Sequence, residues 1–456
     1  MRPLLCGAQR AVLLLLLLLL PRRYRVVHGF SSPALCSRPS SAYIHIPFCK
    51  QRCFYCDFPI KVLGHGLASP SVQQTISKYV EALKTEMDIT ETRSNEEPKL
   101  LETVYVGGGT PSVLDPEHLE QILSRIDKKF GISKDAEISI EMDPGTFDKQ
   151  KAASFKKLGF TRVSMGVQSF NERSLKACGR GHSVQEVYDG ISSLRAAGFH
   201  DISMDLISGL PGETEKCFTH SLQSAVDLSP THLSVYDLII EDHTAFGRWF
   251  DPSSNVNKSP MKLPSLPGEN LAGDFYTLSH DFLTSRGYEH YEISNYAKLD
   301  SSHPIDDDDV GIVSPFHSRH NTMYWDRRPF YGFGMGATSF TGGVRLARPR
   351  NLEAYLDWVA NGIDPKQLTG WEEEDGSDST WDTLVETFMV GLRTRRGVMD
   401  SCLRRDFGDT LVDEALKRLQ PHVRNGLVEI TGKGRIRLTA PRGFLYSNTV
   451  LVSLFK

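Results

Sequence analysis

The chain has 456 residues, long enough to bury one large core and a second, smaller one. Its 52 Lys and Arg stand against 56 Asp and Glu, a formal charge of −4, with 9% aromatic residues. That balance excludes a nucleic-acid binder that depends on a strong basic field, and eight cysteines in so long a chain exclude a small disulfide-stapled scaffold.

Residues 1–40 have a composition of their own. No Asp or Glu precedes Asp57, whereas Arg2, Arg10, Arg22, Arg23, Arg25 and Arg38 all do, with serines around Ser31 and Ser40. Arg-rich, acid-free and serine-bearing is the composition of a mitochondrial transit peptide. The apolar run Ala11–Leu20, closed by Pro21, is too short to span a bilayer, which takes about 20 residues. It has the length of a secretory h-region, the competing reading. Export would carry the cysteine loop that follows into an oxidising space, so a mitochondrial matrix destination is expected. Structure should begin near Ser41, with no transmembrane span.

The first strand candidate, Tyr43–Ile46, runs straight into Cys49, Cys53 and Cys56, with three residues and then two between them. A closed structural zinc site or an all-cysteine cluster takes four protein ligands. Three leave one corner open, the pattern of a [4Fe-4S] cluster whose fourth iron is left to a small molecule. Zinc with His45 as fourth ligand is the bland alternative, weakened by the lack of a second Cys-x-x-Cys pair. A disulfide would leave one thiol over. Cys6, Cys36, Cys178, Cys217 and Cys402 are scattered singly and read as reduced residues of a reducing compartment.

Further strand candidates are Thr103–Val106, Glu137–Glu141, Arg162–Gly166, Ile202–Ile207 and His232–Leu238, mostly followed by segments of helical period. After Leu114, Asp115 is a good N-cap, Pro116 suits the first helical position, and Leu119, Ile122, Leu123 and Ile126 form one stripe. Ser183 and Glu186 form a capping box for a helix faced by Val184, Val187, Tyr188, Ile191 and Leu194 and ended at Gly198. Repeats of this kind imply an α/β fold, an incomplete (β/α)6 barrel over residues 41–297, whose strand C-termini carry the site.

On those ends lie Gly107-Gly108-Gly109-Thr110, Glu141 ahead of Asp143-Pro144-Gly145, Gln168, and Asp205. Glycines there let backbone approach a ligand closely, although a glycine run after a strand is more often a tight turn. Singly, each polar residue is more often a satisfied loop residue; four in register on adjacent strands are harder to dismiss.

Residues 246–268 read as a long surface loop, 298–318 with Asp306–Asp309 as an insertion, and 319–370 as a segment packing on the barrel. An acidic linker over 371–379 leads to a small C-terminal α+β domain, 380–456. It offers helices around Leu384–Arg393 and Thr410–Leu419 and a hairpin of Leu427–Ile430 with Arg435–Thr439. Two helices and a hairpin resemble a winged helix. Without a basic excess, a packing or lid role is expected rather than nucleic-acid binding.

The runs YIHIPFCKQRCFYCDF, GGGTPS, IEMDPGT, SMGVQSF, CGRGH and DLISGLPGET together resemble the radical SAM family around oxygen-independent coproporphyrinogen oxidase, most closely its HemW-like branch. The resemblance runs from Ser41 to the C-terminus and is weaker in the last part. It implies a radical SAM barrel with a [4Fe-4S] cluster on Cys49, Cys53 and Cys56. S-adenosylmethionine would take the open corner, where the family cleaves it with an electron from the cluster. By motif, Tyr43, Gly108, Gly109, Thr110, Glu141, Gln168, Arg180 and Asp205 would contact it. Arg180 suits an anionic carboxylate, because guanidinium is a planar, permanently charged fork.

Two departures point away from coproporphyrinogen decarboxylation. Phe58 stands where that oxidase has a further cysteine, and residues 1–40 read as targeting sequence rather than as its ordered extension. The HemW-like branch carries instead a His-Asn-x-x-Tyr-Trp motif, here HNTMYW from His320 to Trp325. On residues alone His320 reads as a core or loop histidine. The resemblance makes it the axial ligand of haem held as cargo, with Tyr324 and Trp325 against the macrocycle. Thr322 replaces a frequent Gln, and residues 298–318 lengthen the approach to this pocket. The implied function is a haem chaperone serving haem-accepting proteins, with an electron donor for its cluster and no assigned catalytic residue. The alternative is a radical enzyme acting on a tetrapyrrole or an unknown substrate.

Overall fold

The structure, a computed structural model, describes residues 38–90, 99–250, 259–300, 314–363 and 380–455. The transit-peptide reading, most of the insertion and the acidic linker fall outside the described residues.

The strands in chain order are β1 (Ser41–Ile46), β2 (Phe48–Cys49), β3 (Lys61–Val62), β4 (Leu101–Gly108), β5 (Ile132–Met142), β6 (Arg162–Gln168), β7 (Asp201–Ser208), β8 (His232–Asp237), β9 (Tyr288–Glu292), β10 (Asn295–Lys298), β11 (Tyr331–Phe333), β12 (Thr338–Thr341), β13 (Val344–Ala347), β14 (Val398–Met399), β15 (Val428–Ile430) and β16 (Arg435–Leu438). Nine of them form one sheet in the order β11-β1-β4-β5-β6-β7-β8-β10-β9. From β11 to β8 every pairing is parallel. The six expected strands are β1 and β4 to β8, side by side, so the incomplete barrel stands. Three additions close its edges: β11 beside β1, and the antiparallel β10 and β9 beyond β8.

Helices follow the strands, α1 (Pro70–Ile89), α2 (Pro116–Phe130), α3 (Lys149–Lys157), α4 (Glu172–Ala177), α5 (Val184–Ala196), α6 (Glu215–Asp227), α7 (Ala245–Trp249) and α8 (Glu269–Thr284), and all but the short α4 and α7 cover the outer face. Later come α9 (Arg319–Trp325), α10 (Leu352–Ala360), α11 (Thr380–Gly391), α12 (Asp400–Phe407), α13 (Asp409–Arg424), α14 (Arg442–Leu445) and α15 (Ser447–Val452). The α5 capping box forms as expected, with Ser183 Oγ accepting from the Glu186 amide and Glu186 returning to the Ser183 amide. Asp115 holds the N-cap position of α2, but its side chain makes no cap bond. Tyr188 lies at the exposed margin of α5 against Phe170 rather than in the buried stripe. The stretch from residue 246 is not all loop: α7 buries Phe246 against Phe54.

Strand alternation decides what kind of barrel this is. Ile44, Val104, Val106, Ile140, Val163, Met165, Met204 and Leu233 face the helices and are fully buried. Their neighbours Tyr43, Tyr105, Glu137, Glu141, Ser164, Asp205 and His232 carry polar groups on the other face. A lumen lined by acids and hydroxyls needs ligands, or one another, to satisfy it.

Two devices fix the edges. Glu86 of α1, buried completely, accepts Arg348 Nε at 2.8 Å, the Tyr355 hydroxyl at 2.7 Å and the Gly334 amide at 2.8 Å, tying α1, α10 and the turn after β11 together. At the other edge the C-terminal domain docks on β9, with Ile293 N donating to Arg393 O and Arg395 N to Tyr291 O. That covers an otherwise unpaired strand, the packing role expected of the domain. The domain has its own core around Phe388, Leu403, Leu419 and Ile436, with the expected hairpin extended to three strands by β14.

Candidate functional site

The cysteine loop is held at both ends by the parallel pair β2 and β3, Cys49 opposite Val62. Arg52 staples its interior, donating to the carbonyls of Cys56, Phe58 and Ile60. Gln51 Nε2 and Phe54 N bind the carbonyls of Gly179 and Cys178, fixing the loop to the turn after α4. His45 reaches Pro59 O at 2.9 Å through Nε2 and accepts the Tyr43 hydroxyl at 3.0 Å on Nδ1. Burial pushes its pKa down to about 4, so the neutral ring uses both nitrogens to hold the loop. It is not free to complete a zinc site. Among the described residues no group of three His, Cys, Asp or Glu is placed to hold one metal ion. A [4Fe-4S] cluster asks something different, each thiolate taking its own iron.

Burial pushes the Cys49 thiol up to about 12 and the Cys56 thiol up to about 11, values that binding to iron would override. The Thr110 hydroxyl lies 3.5 Å from Cys49 Sγ and 3.3 Å from Asp143 Oδ2. Arg180 Nη1 lies 3.5 Å from Cys53 Sγ, while Nη2 donates to Asp143 Oδ1 at 2.6 Å and Gly166 O at 2.8 Å. Arg180 was expected to meet a cofactor carboxylate; its partner here is Asp143. Its buried Nε–H has no partner and is available to a ligand.

The glycine run packs closely against its own protein. A Cβ on Gly107 would lie 2.8 Å from Glu141 Oε1, one on Gly108 2.5 Å from the His45 ring, and one on Gly109 2.8 Å from Phe48 O. Protein, rather than an open cradle, fills each place. The glycines bring the end of β4 against the cysteine segment, where Gly109 N and Thr110 N bind the carbonyls of Ile46 and Phe48.

Glu141 accepts the Gly108 amide and the Tyr105 hydroxyl, both at 2.9 Å. Burial pushes its carboxyl up to about 7; the Gly108 bond opposes this and Asp205 adds to it. Gln168 ends β6 in the left-handed region (φ 65), after a register shift, with Nε2 beside Gly166 and near Arg180 and Asp143. Asp205 is held by Ser164 and Ser203, and burial raises its pKa. Gly108, Gly109, Thr110, Glu141, Gln168 and Arg180 thus gather around the upper strand ends, while Tyr43 and Asp205 lie within β1 and β7, Tyr43 stacked on Tyr105.

His320 is elsewhere. The segment entering α9 crosses the N-terminal ends of the strands and closes the barrel floor. Glu137 Oε2 and Oε1 accept the Arg319 and His320 amides at 3.1 Å, a carboxylate on a helix N-terminus. Arg162, paired with Asp201, also holds Phe316 O. The His320 ring rises into the lumen and stacks on Tyr105 at 5.2 Å. Its Nδ1 meets Thr103 Oγ1 and its Nε2 meets the Tyr324 hydroxyl, each at 2.8 Å, and burial pushes its pKa down to about 3. Trp325 faces Arg393 of the C-terminal domain, not the lumen centre.

Sequence reasoning missed Tyr105, which touches both Glu141 and His320, and the role of Asp143. Tyr105 had a signal, its place in alternation with Thr103 and Gly107 on the lumen face. Asp143 had none beyond the turn it begins.

The site fits a cluster with an organic ligand on three counts: three cysteines on one stapled loop, an orphan guanidinium N–H beside them, and a polar lumen below. Comparison with known proteins agrees. The radical SAM superfamily matches residues 43–225 and the HemN C-terminal domain residues 378–446. "Heme chaperone HemW" of Synechocystis sp. is 37% identical over 433 residues, 91% of this chain and 96% of that one. The proteins of the same name from Lactococcus lactis subsp. lactis and Bacillus subtilis are 35% and 32% identical, over 79% and 87% of this chain and 83% and 96% of theirs. Among solved structures, the radical SAM enzyme coproporphyrinogen III oxidase (HemN) from Escherichia coli aligns with a TM-score of 0.71 at 23% identity, covering 96% of this chain and 98% of that one. At that identity the likeness speaks for the fold alone.

Proposed function

The chain belongs to the HemW-like branch of the radical SAM superfamily, and on that membership we propose that it is a haem chaperone that carries a [4Fe-4S] cluster and S-adenosylmethionine and delivers haem to acceptor proteins. Cys49, Cys53 and Cys56 would hold the cluster, which when bound supplies an electron to its open corner. Around that corner Arg180 offers its free Nε–H, Glu141 a carboxyl whose pKa is pushed up to about 7, and Gln168 an amide, while the stapled loop keeps the Cys49 thiol buried and those of Cys53 and Cys56 half-buried. Haem-accepting proteins and an electron donor are the partners this reading requires.

The observation that carries the haem half is the His320 ring. Thr103 Oγ1 lies 3.6 Å from Met323 Sδ and can direct its proton there, so its oxygen accepts from Nδ1–H. Nε2 is then the lone-pair nitrogen of a ring held neutral by burial, and it accepts the Tyr324 hydroxyl. A neutral imidazole with its second nitrogen anchored is the form that ligates iron. Haem would exchange one hydroxyl for one metal at that atom, and the α9 floor would have to yield to admit it.

Anaerobic reconstitution with haem, followed by absorption titration, tests this. Stoichiometric binding lost in His320→Ala supports the ligand assignment; binding unchanged in that variant removes it. Catalytic formation of 5′-deoxyadenosine dependent on a porphyrinogen would instead establish the enzyme reading. We further propose a mitochondrial matrix location, supported by the Arg-rich, acid-free composition of residues 1–40. Import of the full chain into isolated mitochondria, compared with a chain starting at Ser41, checks it. Among the described residues no helix is long and apolar enough to cross a membrane.

A further inference from the structure

Cys53 has a guanidinium donor on its sulfur, and that donor is itself held by a carboxylate. Arg180 Nη1 is 3.5 Å from Cys53 Sγ and Nη2 donates to Asp143 Oδ1, whereas the single Thr110 hydroxyl proton has Cys49 Sγ at 3.5 Å and Asp143 Oδ2 at 3.3 Å as competing acceptors. We propose that Asp143 is a positioning residue that sets the reduction potential of the cluster by holding Arg180 against the Cys53 thiolate.

Hydrogen bonds to the sulfurs and nearby charge are the protein's means of setting such a potential. A cation at a thiolate favours the reduced cluster, which carries the extra negative charge. Arg180 is suited to this because its fork grips a carboxylate and a carbonyl with one nitrogen and leaves the other for sulfur. Lysine, a single point charge, could not span these partners.

The carboxylate is itself well fixed. Asp143 N donates to Ser112 Oγ at 3.1 Å, and Thr146 Oγ1 donates to Asp143 O at 2.6 Å, closing the turn that follows β5. Gly166 explains the remaining constraint. A Cβ there would lie 2.6 Å from Asp143 Oδ1 and 3.2 Å from Arg180 Nη2, so the ion pair occupies the place of a side chain on β6.

The direction of the effect separates positioning from plain electrostatics. Asp143 is an anion near the cluster, so its removal by charge alone would make reduction easier. If it acts by aiming Arg180, losing it does the opposite. The inference rests on the assignment of the cluster to Cys49, Cys53 and Cys56, which iron and sulfide content reports separately.

The experiment is potentiometric titration of the reconstituted full chain, followed by the electron paramagnetic resonance signal of the reduced cluster, without S-adenosylmethionine. In Asp143→Ala the ratio of reduced to oxidised cluster at fixed potential falls about tenfold, a midpoint about 59 mV lower. Asp143→Asn keeps an acceptor for Arg180 and does not lower the midpoint. A shift in the same direction in both variants, or no shift in Asp143→Ala with iron and sulfide intact, overturns the proposal. Should Asp143→Ala fail to load iron, Arg180→Gln gives the same reading: a lowered midpoint supports it, an unchanged or raised one overturns it. Absence of iron and sulfide from the unmodified chain would remove the cluster assignment itself.

Discussion

Replacing Glu141 by glutamine removes an ionisation that the folded chain resists. Burial pushes this carboxyl from its ordinary 4.5 up to about 7. A carboxyl with a raised folded-state pKa binds its proton more tightly folded than unfolded. It therefore contributes no penalty below 4.5 and lowers stability progressively as pH rises from 4.5 to about 7. The interval corresponds to at most roughly 3 kcal/mol at pH 8. A side-chain amide cannot ionise, so the Glu141→Gln variant escapes that loss. It does lose one acceptor, since Gly108 N and Tyr105 OH now share a single side-chain oxygen, a pH-independent cost of about 1–3 kcal/mol. Urea denaturation of both proteins between pH 4.5 and 8 should show their stability difference moving in favour of the variant by up to about 3 kcal/mol, most of it before pH 7. Glu213 and Glu292, also pushed up to about 7 by burial, are present in both proteins and cancel. A difference that stays flat across the range would refute the burial argument for Glu141.

Glu86→Ala strands the buried Arg348 guanidinium and two further donors, and should cost about 3–5 kcal/mol, read from the urea midpoint. Gly109→Ala places a methyl 2.8 Å from Phe48 O and 3.0 Å from Cys49 Sγ, against backbone that cannot yield. The variant should fold but take up substantially less iron and sulfide per chain on reconstitution. Tyr324→Phe uncovers the His320 Nε2 lone pair and should raise haem affinity several-fold in absorption titrations. A fall would show that the hydroxyl holds the ring in its binding orientation.

Much of this protein was legible in its sequence because the relevant physics is local. Alternation in Thr103–Val106 or Ile202–Ile207 marks a strand wherever it ends up, and the Ser183–Glu186 capping box closes within one turn. The cysteine loop is likewise local: spacing alone puts three thiols on one short segment, and the structure adds only the staples that hold it. The six parallel strands follow from repetition of such units.

Tertiary structure decided the partners. Arg180 finds Asp143 across 37 residues and His320 finds Thr103 across 217, meetings that no spacing rule encodes. Both side chains stand out in the sequence while their neighbours do not, because a sequence shows which groups can bind but not which of them already have. The glycine run illustrates the same limit, since a glycine that admits a ligand and one that admits His45 or Phe48 are spelled alike. Sequence by itself determined the cofactor loop and the barrel that carries it. Only the fold, by bringing distant strand ends and α9 into one lumen, decided that the cysteine loop and the HNTMYW motif lie at opposite ends of it with Tyr105 between them.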